Sequence, residues 1–104
     1  MPDLSSDMHQ RVLRALDDAL QDVESVAKAS KAATGHVNFQ QQVEDRLKAC
    51  RRAVEMSKDR SETVKRLETL HQGLRLLNNG PVAPAVARTR AVLVQLLKEL
   101  EQAK

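Results

Sequence analysis

"SKDRSET", residues 57–63, decides how many helices this chain forms. Apolar residues recur before it at Val43, Leu47, Cys50 and Val54, and after it at Val64, Leu67, Leu70, Leu74 and Leu77. Within the seven residues 57–63 no large apolar side chain appears. Asp59 can cap a new helix, with Glu62 three residues later completing a capping-box-like pair. Against a break, the stretch holds neither Gly nor Pro, and its Lys, Arg and Glu are good helix formers. Ser57 and Ser61 also stay on the seam set by Val43 to Val54, where small hydroxyl side chains let helices approach and can bond the preceding turn. The seam favours one helix with a weak, bent middle. It then changes phase through two three-residue steps, Val64 to Leu67 to Leu70, a stammer that overwinds a coiled coil locally. A continuous helix from Asn38 to Leu77 would be about 60 Å long at roughly 1.5 Å per residue.

The flanking segments read more simply. Ser5, Ser6 or Asp7 can cap a first helix, whose seam runs Val12, Leu16, Ala19, Val23, Val26, Ser30, Ala33 in alternating steps of four and three. Leu13, Leu20 and Ala27 widen that face toward the breadth a bundle needs. Gly35 in "TGHVN" can end the helix, and Asn38 can cap the next. In "NNGPVAP" (78–84), Asn78, Asn79 and Gly80 suit left-handed turns, Pro81 cannot continue a helix, and Pro84 suits a first turn. A last seam follows: Val82, Val86, Thr89, Leu93, Leu96, Leu100, Ala103, flanked by Val92 and Leu97. The expectation is a single all-α domain over residues 1–104. It is an antiparallel three-helix bundle with coiled-coil-like packing, its helices at about 6–33, 39–77 and 84–102.

Composition agrees. Phe39 is the only aromatic residue of 104, and the three Gly and three Pro leave few turns, which disfavours a β fold. The formal net charge of +3 is too mild, and the chain too poor in aromatics, for an obvious nucleic-acid binder. Without a secretory apolar region or a long apolar run, and with Cys50 alone, the expected setting is cytoplasmic with no membrane span.

Little in the chain suggests catalysis. His9, His36 and His71 share no metal-ligand spacing with one another or with Cys50 and read as surface or turn residues. Cys50 reads as a small core residue on the seam. The acidic cluster Asp17, Asp18, Asp22, Glu24 lacks the loop that would wrap a calcium ion and reads as a solvated face. There is no Gly-rich phosphate loop and no nucleophile elbow, so no enzyme activity and no metal or other cofactor are expected. What remains is charge. The middle segment carries Arg46, Lys48, Arg51, Arg52, Lys58, Arg60, Lys65 and Arg66, which could pair with the acids of the first helix or face an acidic protein. Arg51, Arg52, Arg60 and Lys65 are the candidate partner-binding residues.

"VKRLETLHQGLRLL", with Lys65, Arg66, Leu67 and Glu68 followed by Leu70 and Leu74, resembles the tubulin-binding cofactor A family of small β-tubulin chaperones. "RTRAVLVQLL" (88–97) and "RVLRAL" (11–16) are similar to that family's third helix and to the opening of its first. The Tyr-Asp pair and mid-helix proline usual in the family's second helix are replaced here by "NFQQQ" and "DRSET". The resemblance implies a monomeric, cytoskeleton-associated three-helix bundle that captures β-tubulin before heterodimer assembly, without nucleotide, metal or catalysis. The alternative is a generic helical adaptor or coiled-coil subunit of a larger complex; a third reading is a binder of nucleic acid or acidic membrane surfaces.

Overall fold

A computed structural model describes residues 4–30, 37–77 and 82–102. Among these residues the chain forms four helices: α1 (Ser6–Ser30), α2 (Val37–Met56), α3 (Arg60–Arg75) and α4 (Ala83–Gln102). The all-α expectation holds, but the three-helix count does not. The segment expected as one helix over 39–77 breaks at Ser57–Asp59 and folds back on itself, so that Cys50 on α2 lies beside Arg66 on α3 and Arg46 beside Gly73.

The break has a local cause and a global one. Locally, the Asp59 carboxylate accepts the Ser61 backbone N–H at 3.0 Å, with Asp59 in extended backbone geometry. The Ser57 hydroxyl accepts the Asp59 N–H at 3.2 Å. Both side chains offer the backbone a turn in place of the helical ladder. Glu62 turns to Arg66, at 2.9 Å, instead of closing a capping box. Globally, Thr63, Leu67, Leu70, Leu74 and Leu77 are all buried, and counted from Thr63 their spacing is four, three, four, three. The apparent stammer is the start of a separate helix whose seam begins at Thr63, while Val64 is only partly buried and Ser61 is exposed. The molecule is 46 Å in its longest dimension, shorter than the single helix would have been.

Contacts run round a ring, α1 to α2 to α3 to α4 and back to α1. Neighbours are antiparallel: Arg11 meets Glu99 and Asp22 meets Arg88 across α1/α4, while Asp17 meets Arg51 across α1/α2. This is an up-down-up-down four-helix bundle. Its interior is aliphatic, with Val12, Leu16, Val23, Val43, Leu47, Val54, Leu67, Leu74, Val82, Val86, Leu93 and Leu100 essentially without exposure. The first and last seams lie where the spacing placed them, with Val26, Leu20, Ala27 and Leu97 partly buried at the margins and Val92 on the surface. Asn38 lies inside α2 and is not its cap. Ala33, Gly35, Asn78 to Pro81 and Ala103, on which other expected boundaries fell, lie outside the described residues. At the other termini the expected chemistry is present. The Ser5 hydroxyl accepts the Met8 N–H at 3.1 Å, and Pro84 sits in the first turn of α4. No helix among the described residues is long and apolar enough to cross a membrane.

Candidate functional site

The side chains with the most reactive chemistry are used inside the bundle. Cys50 is buried, its Sγ is 3.7 Å from the Arg66 carbonyl, and burial pushes its thiol up to about 11 although Arg66 pulls it down. At neutral pH it is protonated, the opposite of an activated nucleophile. His9, expected at the surface, is buried, and its Nε2 lies 2.8 Å from the Val54 carbonyl. A carbonyl can only accept, so Nε2 carries the hydrogen and donates. The ring thereby gives a second donor to a carbonyl in the last turn of α2 that also accepts the Ser57 backbone N–H at 3.3 Å. One signal of this was present in the sequence: stepping back three residues from Val12 along the first seam lands on His9. His71 is half-buried between α3 and α4, and burial, then Arg90 and Arg75, hold its protonation below the usual histidine range. His36 lies outside the described residues.

The acidic cluster of α1 divides between two neighbours. Asp17 takes Arg51 of α2, which also holds Glu55 at 2.6 Å, and Asp22 accepts from Nε and Nη2 of Arg88 on α4 at 2.8 and 2.7 Å. The bidentate bond to Arg88 holds the Asp22 carboxyl below the usual carboxylate range, and the same contact raises Arg88. Among the described residues no group of three or more His, Cys, Asp or Glu could hold a metal ion.

The four candidate cations do not form one ridge. Arg51 is committed to α1. Arg60, at the start of α3, donates to the Leu100 carbonyl at the end of α4. These two therefore serve seams on opposite sides of the ring. Arg52 and Lys65 are exposed, on α2 and α3 respectively, and among the described residues no carboxylate partners either.

Two surface depressions among the described residues bear on function. A shallow groove of about 610 Å³ between α1 and α4 has Ala15, Val92 and Leu96 at its base and Asp7, Arg11, Arg14, Asp18 and Glu99 on its rims, bridged by the 2.9 Å Arg11–Glu99 pair. Its charges alternate in sign, and it contains no nucleophile or imidazole. The second, about 150 Å³, lies between α2 and α3 and is lined by Arg46, Ala49, Cys50, Arg66, Thr69 and Leu70. Met56 follows Ala49 by seven residues and Leu76 follows Thr69 by seven, two helical turns in each case, so both point along this same rim. They are the most exposed large apolar side chains described, at 81% and 77%. The α2/α3 face thus combines unpartnered cations with exposed apolar groups.

Comparison with protein-family models, with curated proteins and with solved structures finds no match to this chain.

Proposed function

We propose that this chain is a non-catalytic helical interaction module, an adaptor or assembly subunit that binds a protein partner through the outer face of α2 and α3. One contrast carries the reading. Cys50 and His9 are spent on holding helices together, whereas Arg46, Arg52 and Lys65 stand on the α2/α3 face with no carboxylate partner among the described residues. Exposed charge of this kind raises association rates and selects orientation more than it stabilises a fold. The test is capture from cell extract by the native chain, set against a triple reversal, Arg46→Glu, Arg52→Glu and Lys65→Glu, that keeps its helical circular dichroism. Partners lost on reversal support the reading; a chain that retains no protein at any salt concentration overturns it.

Capture of β-tubulin is the sharper reading that the Lys65–Glu68 segment suggests by resemblance. That segment lies in α3, with Lys65 and Glu68 exposed and Leu67 in the core, so the long second helix of the resemblance is here a hairpin. Purified β-tubulin in the same capture decides this reading directly: no complex across a range of salt ends it and leaves the adaptor reading in place.

A further inference from the structure

We infer that the α2/α3 face is a docking seat for an acidic amphipathic helix of a partner protein; this rests on the interaction reading above and specifies its partner. The two helices form a shallow trough whose middle is the cleft between Arg46 and Arg66, floored by Ala49 and Leu70. Gly73 keeps the trough low, since a Cβ there would sit 2.7 Å from the Arg46 guanidinium that now lies across the glycine. Met56 stands at one end and Leu76 at the other.

The dimensions suit a helix. Cys50 lies level with Arg66, and Arg46 lies level with Gly73. Leu76 therefore stands beside the first turns of α2 while Met56 stands at its end. About fifteen residues of helix rise separate them, roughly 22 Å, or about four turns. An occupant of that length would set apolar side chains against Met56, Ala49 and Leu76 with one face, in the manner of helix-in-groove recognition.

The charge fixes the sign of the occupant's flanks. Among the described residues Arg46, Arg52 and Lys65 have no carboxylate partner, and Lys58 in the hinge adds a fourth exposed cation at the Met56 end. Acids share this face and its hinge: the exposed Glu68 one turn beyond Lys65, Asp59 beside Lys58, and Glu62 and Asp45. Glu62 is held by Arg66 and Asp45 by the Gln41 amide, at 2.9 Å in each case, so both are already engaged. Glutamates flanking the occupant's apolar stripe would meet the remaining cations. A nucleic-acid backbone would meet the same cations but would leave Met56 and Leu76 unrewarded, and this chain's single aromatic residue, Phe39, gives bases no stacking platform.

The probe is a synthetic peptide of about four helical turns, with leucines at i, i+3, i+4 and i+7 spacing and glutamates beside them. A composition-matched scramble and a single-stranded RNA serve as competitors, read by fluorescence anisotropy on the whole chain. The native chain is expected to bind the peptide at least tenfold more tightly than the scramble, a difference equivalent to about 1.4 kcal/mol. Arg46→Glu, Arg52→Glu and Lys65→Glu together should abolish binding. Met56→Ser with Leu76→Ser should abolish the preference over the scramble while leaving thermal stability unchanged, because both side chains are exposed. Lys98→Glu on α4 should change nothing. Equal binding of peptide and scramble, or tighter binding of RNA than of peptide, overturns the inference. Extract partners lost on the triple reversal, alongside equal binding of peptide and scramble, overturn this inference and leave the interaction reading standing, whereas partners that survive the triple reversal but are lost on reversing Arg11 and Arg14 in the α1/α4 groove overturn both.

Discussion

The α1/α4 and α2/α3 seams of this bundle are built differently. Across α1/α4 two ion pairs meet, Arg11 with Glu99 and Asp22 with Arg88. Across α2/α3, among the described residues, none does; the cross-seam contacts are the Cys50 thiol on the Arg66 carbonyl and the Arg46 stem on Gly73. The difference follows the covalent chain. α2 and α3 are joined by the short Ser57–Asp59 turn, which sets their register by itself. The α1 and α4 pair comes from opposite ends of the sequence, and nothing covalent fixes how they slide. Charge pairs placed at two heights allow one register and penalise others. Surface pairs add little stability, so their contribution here is specificity. The seam relieved of that task is the one with cations left over for a partner.

The comparison can be broken at several strengths. Both seams share one interior, so truncation in either should be costly: Leu47→Ala and Leu93→Ala should each lose about 2–5 kcal/mol in urea unfolding. If Leu47→Ala costs much less than Leu93→Ala, α2/α3 is a looser half than this packing implies. Two buried threonines come next. The Thr89 hydroxyl donates to the Ala85 carbonyl at 2.9 Å, whereas the Thr63 hydroxyl is buried without a partner. Thr63→Val should stabilise by about 1 kcal/mol, and Thr89→Val should be close to neutral, because only the first removes an unsatisfied group. Gly73→Ala should gain up to about 1 kcal/mol from helix propensity, less the cost of swinging the flexible Arg46 aside. A loss would mean that Arg46 is pinned more firmly than its exposed position suggests.

The smallest effect concerns charge. A double-mutant cycle on Asp22→Asn and Arg88→Ala should give a small favourable coupling that fades with salt. The Asp22 carboxyl is depressed in the fold, so its contribution is present above the carboxylate's unfolded value. It is lost as pH falls through the lower folded value, where the folded state would have to take up the proton. Melting curves between neutral pH and pH 3 should show the native chain losing this coupling and the Arg88→Ala chain having none to lose.

Three of the four helical seams were legible because their spacing is unbroken: Val12 to Val23, Val43 to Val54 and Val82 to Leu100. The fourth was hidden by the choice of Val64 as its first member. Counted from Thr63 it is equally regular, but threonine is a weak marker of burial, and the serines of 57–63 happened to extend the preceding phase. Helix propensity was overruled by two short side-chain-to-backbone bonds, from Ser57 and Asp59, and by the gain from folding two apolar faces together. Among the candidate partner residues, Arg52 and Lys65 are where the sequence suggested, exposed. The engagement of Arg51 and Arg60 depended on the positions of Asp17 and of the Leu100 carbonyl, which only the fold brings near.

Three bonds share an end of the molecule. His9 donates to the Val54 carbonyl, the Leu4 N–H to the Lys58 carbonyl at 2.7 Å, and Arg60 to the Leu100 carbonyl. Between them they tie the start of α1 to the end of α2, and the start of α3 to the end of α4. Among the described residues the bundle is therefore laced at this end, which should be the last to open on heating. Amide exchange should show this as a gradient along every helix: slowest near Val12, Val54, Thr63 and Leu96, faster toward Val26, Val43, Leu74 and Val86. A partner that grips Met56 would hold the protein by its laced end.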